Sequence, residues 1–317
     1  MTTDINGDAS FSLTAPTPAG TFITSSATRR NEAGNLLETS EFSGSQAFTP
    51  PPEGGLPTCD ITTANEPGEL GTAVLVGDAD NEEQNVLLVT GTNRNDVIVI
   101  EPRPSNPSQI RVKINGHLAG IFASSDVPRI VAFGLNGNDT IVVNATPTQP
   151  AALFGGTGND FLFGGAGNDQ LEGDAGNDHL FGGSGNDALC GDAGNDFLFG
   201  GLGNDTLFGE TGKDQLFGEA GNEVLLGGDN NDFLFGGTGN DQLFGQVGND
   251  QLFGENGNDI VVGGDGNDKL FGGNGRDLLI GGDGSDQLFG EAGDDILVSG
   301  STANDENQEA LAAIEAE

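Results

Sequence analysis

The 317-residue chain has no tryptophan and no tyrosine, one methionine, two histidines and two cysteines. Cys59 and Cys190 stand far apart in sequence and form neither a disulfide framework nor a metal-ligand spacing. His117 and His179 stand alone, so no metal or catalytic constellation can be built on imidazole. Basic residues are equally scarce: ten Lys and Arg against 49 Asp and Glu, for a formal net charge of −39. A field of that sign excludes a binder of nucleic acid or of anionic membrane acting through its own charge, and it repels itself unless cations neutralise it. No apolar run approaches the length of a membrane span. The start, Met1-Thr2-Thr3-Asp4, is polar and shows no cleavable signal peptide, which leaves a fragment or export without an N-terminal signal. Neither G-x-S-x-G nor H-E-x-x-H occurs, and no paired catalytic carboxylates stand outside the repeat, so no enzyme is expected.

What the chain has is glycine, 55 residues of it, laid out with a fixed period. From Gly155 to Val298 the unit G-G-x-G-N-D-x-L-F recurs every nine residues, sixteen times, without insertion or deletion. A short fixed period means stacked identical units rather than an ordinary globular core. Position one is Gly in all sixteen units, and position four is Gly in all but one, where Asn230 stands. Glycine at fixed turn sites marks backbone angles closed to other residues, with Asn the next most tolerant. Position eight is Leu in fifteen units and Val261 in the other. One large apolar residue in nine cannot line a helix face. It fits a very short strand whose middle side chain points inward while its neighbours point outward.

A six-residue turn and a three-residue strand therefore alternate, and two units close one coil of eighteen residues. The ninth position supports that coil independently. It is Phe in all eight odd units (Phe163, Phe181, Phe199, Phe217, Phe235, Phe253, Phe271 and Phe289) but varied in the even ones. Odd and even strands thus occupy two different sheets. The fold class expected is all-β: a parallel β-roll, that is a two-sheet β-solenoid with 18 residues per coil, preceded by a β-rich N-terminal region. The phenylalanine row faces outward in this scheme. Either it meets a protein or surface partner, or its rings merely shield the sheet from water.

Position six is Asp in fifteen units and Glu223 in the other. Stacking puts equivalent carboxylates on adjacent layers. Two of them about 5 Å apart repel by roughly 1–3 kcal/mol at effective dielectrics between 80 and 20. A hard dication between layers reverses the sign. Calcium accepts six to eight oxygens in irregular geometry, which carboxylates and turn carbonyls can supply, whereas magnesium demands a tighter octahedron. Zinc would call for His or Cys, which the pattern lacks. Ordering so many glycines costs more entropy than one inward Leu per unit returns, so the ion-free array is expected to be disordered and to fold on binding calcium.

The unit resembles the RTX (repeats-in-toxin, hemolysin-type) calcium-binding nonapeptide G-G-x-G-x-D-x-U-x, in register throughout. The resemblance implies a parallel β-roll with calcium held between layers by the turn Asp and backbone carbonyls. Its implied ligands are Asp160, Asp169, Asp178, Asp187, Asp196, Asp205, Asp214, Asp232, Asp241, Asp250, Asp259, Asp268, Asp277, Asp286 and Asp295, for up to about 14 ions between like turns of adjacent coils. It also implies an extracellular bacterial protein, secreted or held at the cell surface and often exported by a type I route. The function implied is a structural or adhesive module. The alternative is the C-terminal export and folding module of a larger secreted enzyme or toxin, which sequence upstream of Met1 would reveal. Three departures stand out. Glu223 is one methylene too long. Asn230 follows it in the next unit, which makes units eight and nine the expected soft point. Position two carries Asp174, Asp192, Glu210, Glu219, Gln246, Glu255 or Glu291 in seven units; most add negative charge, and they are read as solvated side chains rather than as further ligands.

Outside the array, residues 1–48 read as a partial β-sandwich-like segment. They resemble the tail of an immunoglobulin-like repeat of bacterial surface proteins at Gly20-Thr21-Phe22-Ile23-Thr24 and Thr39-Ser40-Glu41-Phe42-Ser43. Residues 49–69 are a Pro- and Gly-rich linker. Residues 70–150 are a β-rich cap with two worn copies of the unit, at Gly91–Val99 and Gly134–Val142. The roll occupies 151–298, and 299–317 form an acidic C-terminal cap in which Gln308–Ile314 favours helix.

Overall fold

The computed structural model describes residues 27–30, 36–40, 70–77, 85–144 and 149–300. The C-terminal helix expected over 308–314, the linker, and most of the N-terminal segment lie outside the described residues. The chain divides into two units, 1–58 and 59–317. Of the first, an antiparallel hairpin of Ala27–Arg30 and Leu36–Ser40 is described.

The second unit is a two-sheet parallel β-solenoid. One sheet runs through Ala151–Thr157, Gln170–Ala175, Ala188–Cys190 and Thr206–Gly212 to Ile296–Val298. The other runs through Phe161–Ala166, His179–Ser184 and Phe197–Leu202 to Gln287–Ala292. Each strand pairs with the one eighteen residues on: Leu162 opposite Leu180, Leu180 opposite Leu198. The strands are longer than the three residues expected. Pairing breaks at position one and resumes at positions two and three of the next unit, as with Gly165 opposite Gly183 and Ala166 opposite Ser184. Half of each expected turn is therefore bent strand, which recovers backbone hydrogen bonds that a free turn would leave to water.

Position-eight side chains meet between the sheets. From Leu162 to Leu279 they are wholly buried in a single apolar column, Val261 among them, and the column continues into Ile141, Ile98 and Ile130 toward the N-terminus. Position nine points out. The eight phenylalanines of the odd units stack ring on ring at centroid separations of 4.6–5.0 Å. A shorter stack in the neighbouring row sets His179 between Phe161 and Phe197.

Toward the N-terminus the parallel pairing gives way to antiparallel strands. Thr72–Gly77 closes one sheet against Asn85–Thr90. The meander Val97–Arg103, Asn106–Ile114, His117–Ala123 closes the other. Cys190, for which the sequence spacing suggested no disulfide, is disulfide-bonded. The sequence holds one other cysteine, Cys59.

Candidate metal centre

The turns stack into two columns, one along each edge of the roll. One edge carries Asp160, Asp178, Asp196, Asp214, Asp232, Asp250, Asp268 and Asp286. The other carries Asp169, Asp187, Asp205, Glu223, Asp241, Asp259, Asp277 and Asp295. All are buried save Asp295 in the last turn, which is half-buried. Within each column every carboxylate leans toward the preceding layer. There its Oδ1 accepts the backbone N–H of the equivalent acid, as Asp178 does from Asp160 at 2.7 Å and Asp196 from Asp178 at 2.7 Å. At the base of the second column Asp169 accepts instead from Ala151 N–H at 2.7 Å. Glu223 keeps the register: its Oε2 takes the Asp205 N–H at 2.7 Å, and its own N–H serves Asp241 at 2.9 Å.

The second oxygen is the informative one. From Asp160 to Asp277 the Oδ2 atom of each ladder Asp (Oε1 of Glu223) is buried and accepts no hydrogen bond. Orphaned buried polar atoms are rare in folded proteins, and an orphaned charge is costlier still. A whole series of them at one sequence position is a donor set lacking its acceptor of charge. The electrostatics agree. Burial, and then the neighbouring carboxylates, push Asp178 and Asp232 up to about 8 against the opposing pull of the backbone N–H. Burial likewise pushes Glu223 up to about 8 and Asp187 to about 7.

The glycines explain why no other residue serves. Position one is not a conformational glycine: a Cβ on Gly155 would lie 2.5 Å from Asp160 Oδ2 and 2.9 Å from the Gly173 carbonyl. Its absent side chain is the space that the carboxylate occupies. Position four needs both freedoms. Thirteen of its glycines have φ between 129° and 157°, and a Cβ there would strike the carbonyl of the layer before, as Gly176 would strike Gly158. Position two is left-handed in all sixteen units, at φ of 100° to 117° where it is Gly and 66° to 74° at the seven other residues. Of those seven, Asp174, Asp192 and Gln246 are half-buried and the four glutamates exposed. Asp174 and Asp192 stack on consecutive layers and gather with Glu172 within 4.8 Å.

Sequence reasoning left the fifth position unexplained. Asn there accepts, through Oδ1, the N–H of the residue eighteen on, as Asn222 does from Asn240 at 2.8 Å and Asn240 from Asn258 at 2.9 Å. The signal was present in the sequence, since twelve of the sixteen units carry Asn at that place. Asx side chains that bond neighbouring backbone are favoured at turns for this reason.

A parallel β-solenoid with buried carboxylate oxygens in its array turns from Asp160 to Asp286, and no His or Cys grouped with carboxylates among the described residues, is a scaffold for hard cations. The donor set fits calcium: carboxylate and carbonyl oxygens, irregularly placed, with uncompensated negative charge. Bound there, calcium would supply positive charge shared between the carboxylates of adjacent layers. Residues 154–189, 191–225, 226–261, 262–297 and 271–304 match the RTX calcium-binding nonapeptide repeat (4 copies). No curated protein matches the chain.

Proposed function

We infer that the chain is an extracellular, non-enzymatic structural or adhesive module whose roll folds as calcium fills its turns. The ligands on this reading are the ladder aspartates from Asp160 to Asp295, with Glu223 in register, joined by the turn carbonyls. The observation that carries it is the half-satisfied carboxylate, one oxygen on backbone and one with no partner, repeated at every array turn from Asp160 to Asp277. Calcium binding is then folding free energy, and the dication offsets a charge of −39 that otherwise opposes compaction. The phenylalanine-lined sheet is the face through which such a module would meet a protein or surface partner. At positions seven and nine of its strands, from Phe161 to Phe289, no residue is Asp or Glu in a chain that has 49 of them.

The test is far-UV circular dichroism of the full chain through a calcium titration, with magnesium as control. A cooperative rise of β signal in calcium alone is expected. A β signal already complete in EDTA overturns the calcium-coupled reading.

A further inference from the structure

Below the array the carboxylate ladder continues without a break, although the sequence spacing does not. Asp160 Oδ1 accepts the N–H of Asp139, 21 residues earlier, at 2.6 Å, and Asp139 Oδ1 accepts the N–H of Asp96, 43 residues earlier, at 2.6 Å. Both acids are buried, each about 1% exposed. Their turns are built differently.

The turn of Asp139, Gly134-Leu135-Asn136-Gly137-Asn138-Asp139, reproduces an array turn at each diagnostic point. A Cβ on Gly134 would lie 2.5 Å from Asp139 Oδ2 and 2.6 Å from the Gly155 carbonyl, the relation Gly155 has to Asp160. Leu135, at position two, is left-handed at φ 85°, and Gly137, at position four, has φ 132°. Asn138 Oδ1 accepts the Asn159 N–H at 3.1 Å, continuing the Asn ladder. Asp139 Oδ2 is buried and accepts no hydrogen bond.

The turn of Asp96, Gly91-Thr92-Asn93-Arg94-Asn95-Asp96, departs at those points. Neither Thr92 nor Arg94 is left-handed. The Asp96 carboxylate is saturated by the protein itself. Thr92 N–H donates to Oδ2 at 2.5 Å, Thr92 Oγ1 lies 2.9 Å from Oδ2 and 3.1 Å from Oδ1, and Asn115 Nδ2 donates to Oδ1 at 2.6 Å.

We propose that this column of calcium sites extends one turn beyond the matched repeats, to a site made by Asp139 with the turn of Asp160, and ends there. At Asp96 the Thr92 and Asn115 side chains take the place of an ion. A buried carboxylate with one orphaned oxygen needs an external positive charge, whereas one holding donors from both Thr92 and Asn115 does not. The Thr92–Asp96–Asn115 group is thus a metal-free terminator of the ladder, which lets the roll abut an ordinary antiparallel cap. The proposal rests on the calcium reading of the array.

Native mass spectrometry of the full chain at saturating calcium tests it. Asp139→Asn keeps the shape and the Oδ1 acceptor for Asp96, and is expected to carry one ion fewer than the unaltered chain. Asp96→Asn is expected to carry the same number. An unchanged count in D139N overturns the proposal, as does the loss of an ion in D96N. An unaltered chain that takes up no calcium overturns the array reading instead. Independently of any variant, crystals of the unaltered chain grown in calcium should show anomalous density beside Asp139 and none beside Asp96; an empty Asp139 turn refutes the extension.

Discussion

A position-one glycine holds an absence. At Gly200 a methyl group would sit 2.6 Å from Asp205 Oδ2 and 2.9 Å from the Gly218 carbonyl, both held by the layers on either side. Gly200→Ala is therefore expected to cost about 1–3 kcal/mol, the usual range for overpacking a rigid site. It should also lower calcium affinity in the same turn. Denaturant midpoints at fixed free calcium check the first effect and a competition titration the second. Asn240 gives the contrasting case, because its Oδ1 serves the Asn258 N–H on the exposed rim. Asn240→Ala should cost about 0.5–1 kcal/mol, one solvent-accessible hydrogen bond, and leave calcium affinity unchanged. An affinity loss equal to that of Gly200→Ala would show that the Asn ladder also shapes the metal site.

At the scale of the strand, stability comes from one inward side chain per element. Leu225 is wholly buried and stacks between Leu207 and Leu243. Leu225→Ala should cost about 2–5 kcal/mol through the transfer term and the cavity left in a column that cannot collapse sideways. Each coil touches only its neighbours, so the damage should stay local. Hydrogen exchange in the calcium-loaded chain should quicken around Leu207, Leu225 and Leu243 and stay slow near Leu162 and Leu279. Uniform quickening along the roll would show that it melts as one cooperative block. The same region carries the two departures at units eight and nine. Glu223 holds the ladder with the same two backbone partners as its aspartate neighbours, and Asn230 adopts φ 83° in place of the glycine. The backbone register passes through both positions intact.

For the molecule as a whole, the raised carboxylates set a pH dependence whose sign follows from linkage. A group whose folded value lies above its unfolded one binds its proton more tightly in the fold, so the ion-free fold gains stability as pH falls and loses it as pH rises through the folded value. Asp160, Asp187 and Asp232 sit at about 6, about 7 and about 8 against an ordinary 3.8 for Asp. In EDTA, β signal should therefore rise as pH is lowered from 8 toward 5. With calcium present the dependence inverts, because protons compete for the same oxygens and the midpoint calcium concentration should rise as pH falls over that window. A calcium midpoint independent of pH between 8 and 5 would mean that these carboxylates are not the ligands.

Much of this was legible in the sequence because a solenoid turns period into position. Nine residues specify one strand and one bend, so the inward Leu, the outward Phe, the buried Asp and the two alternating sheets follow from counting. Period also distinguishes odd from even strands, through a ninth position that is Phe in every odd unit and varied in the even ones. What counting cannot supply is the relation between layers, since those atoms lie eighteen or more residues apart and meet only after stacking. That contact decides that position one is glycine for want of room rather than for its φ. It also shows that each carboxylate spends one oxygen on the layer before, and that Asn ladders run beside the aspartates. Where insertions stretch the spacing to 21 and 43 residues, periodicity fails altogether. Only the folded chain shows Asp139 joined to the ladder with an oxygen to spare and Asp96 closed off by Thr92 and Asn115, because hydrogen-bond saturation is a property of neighbours in space.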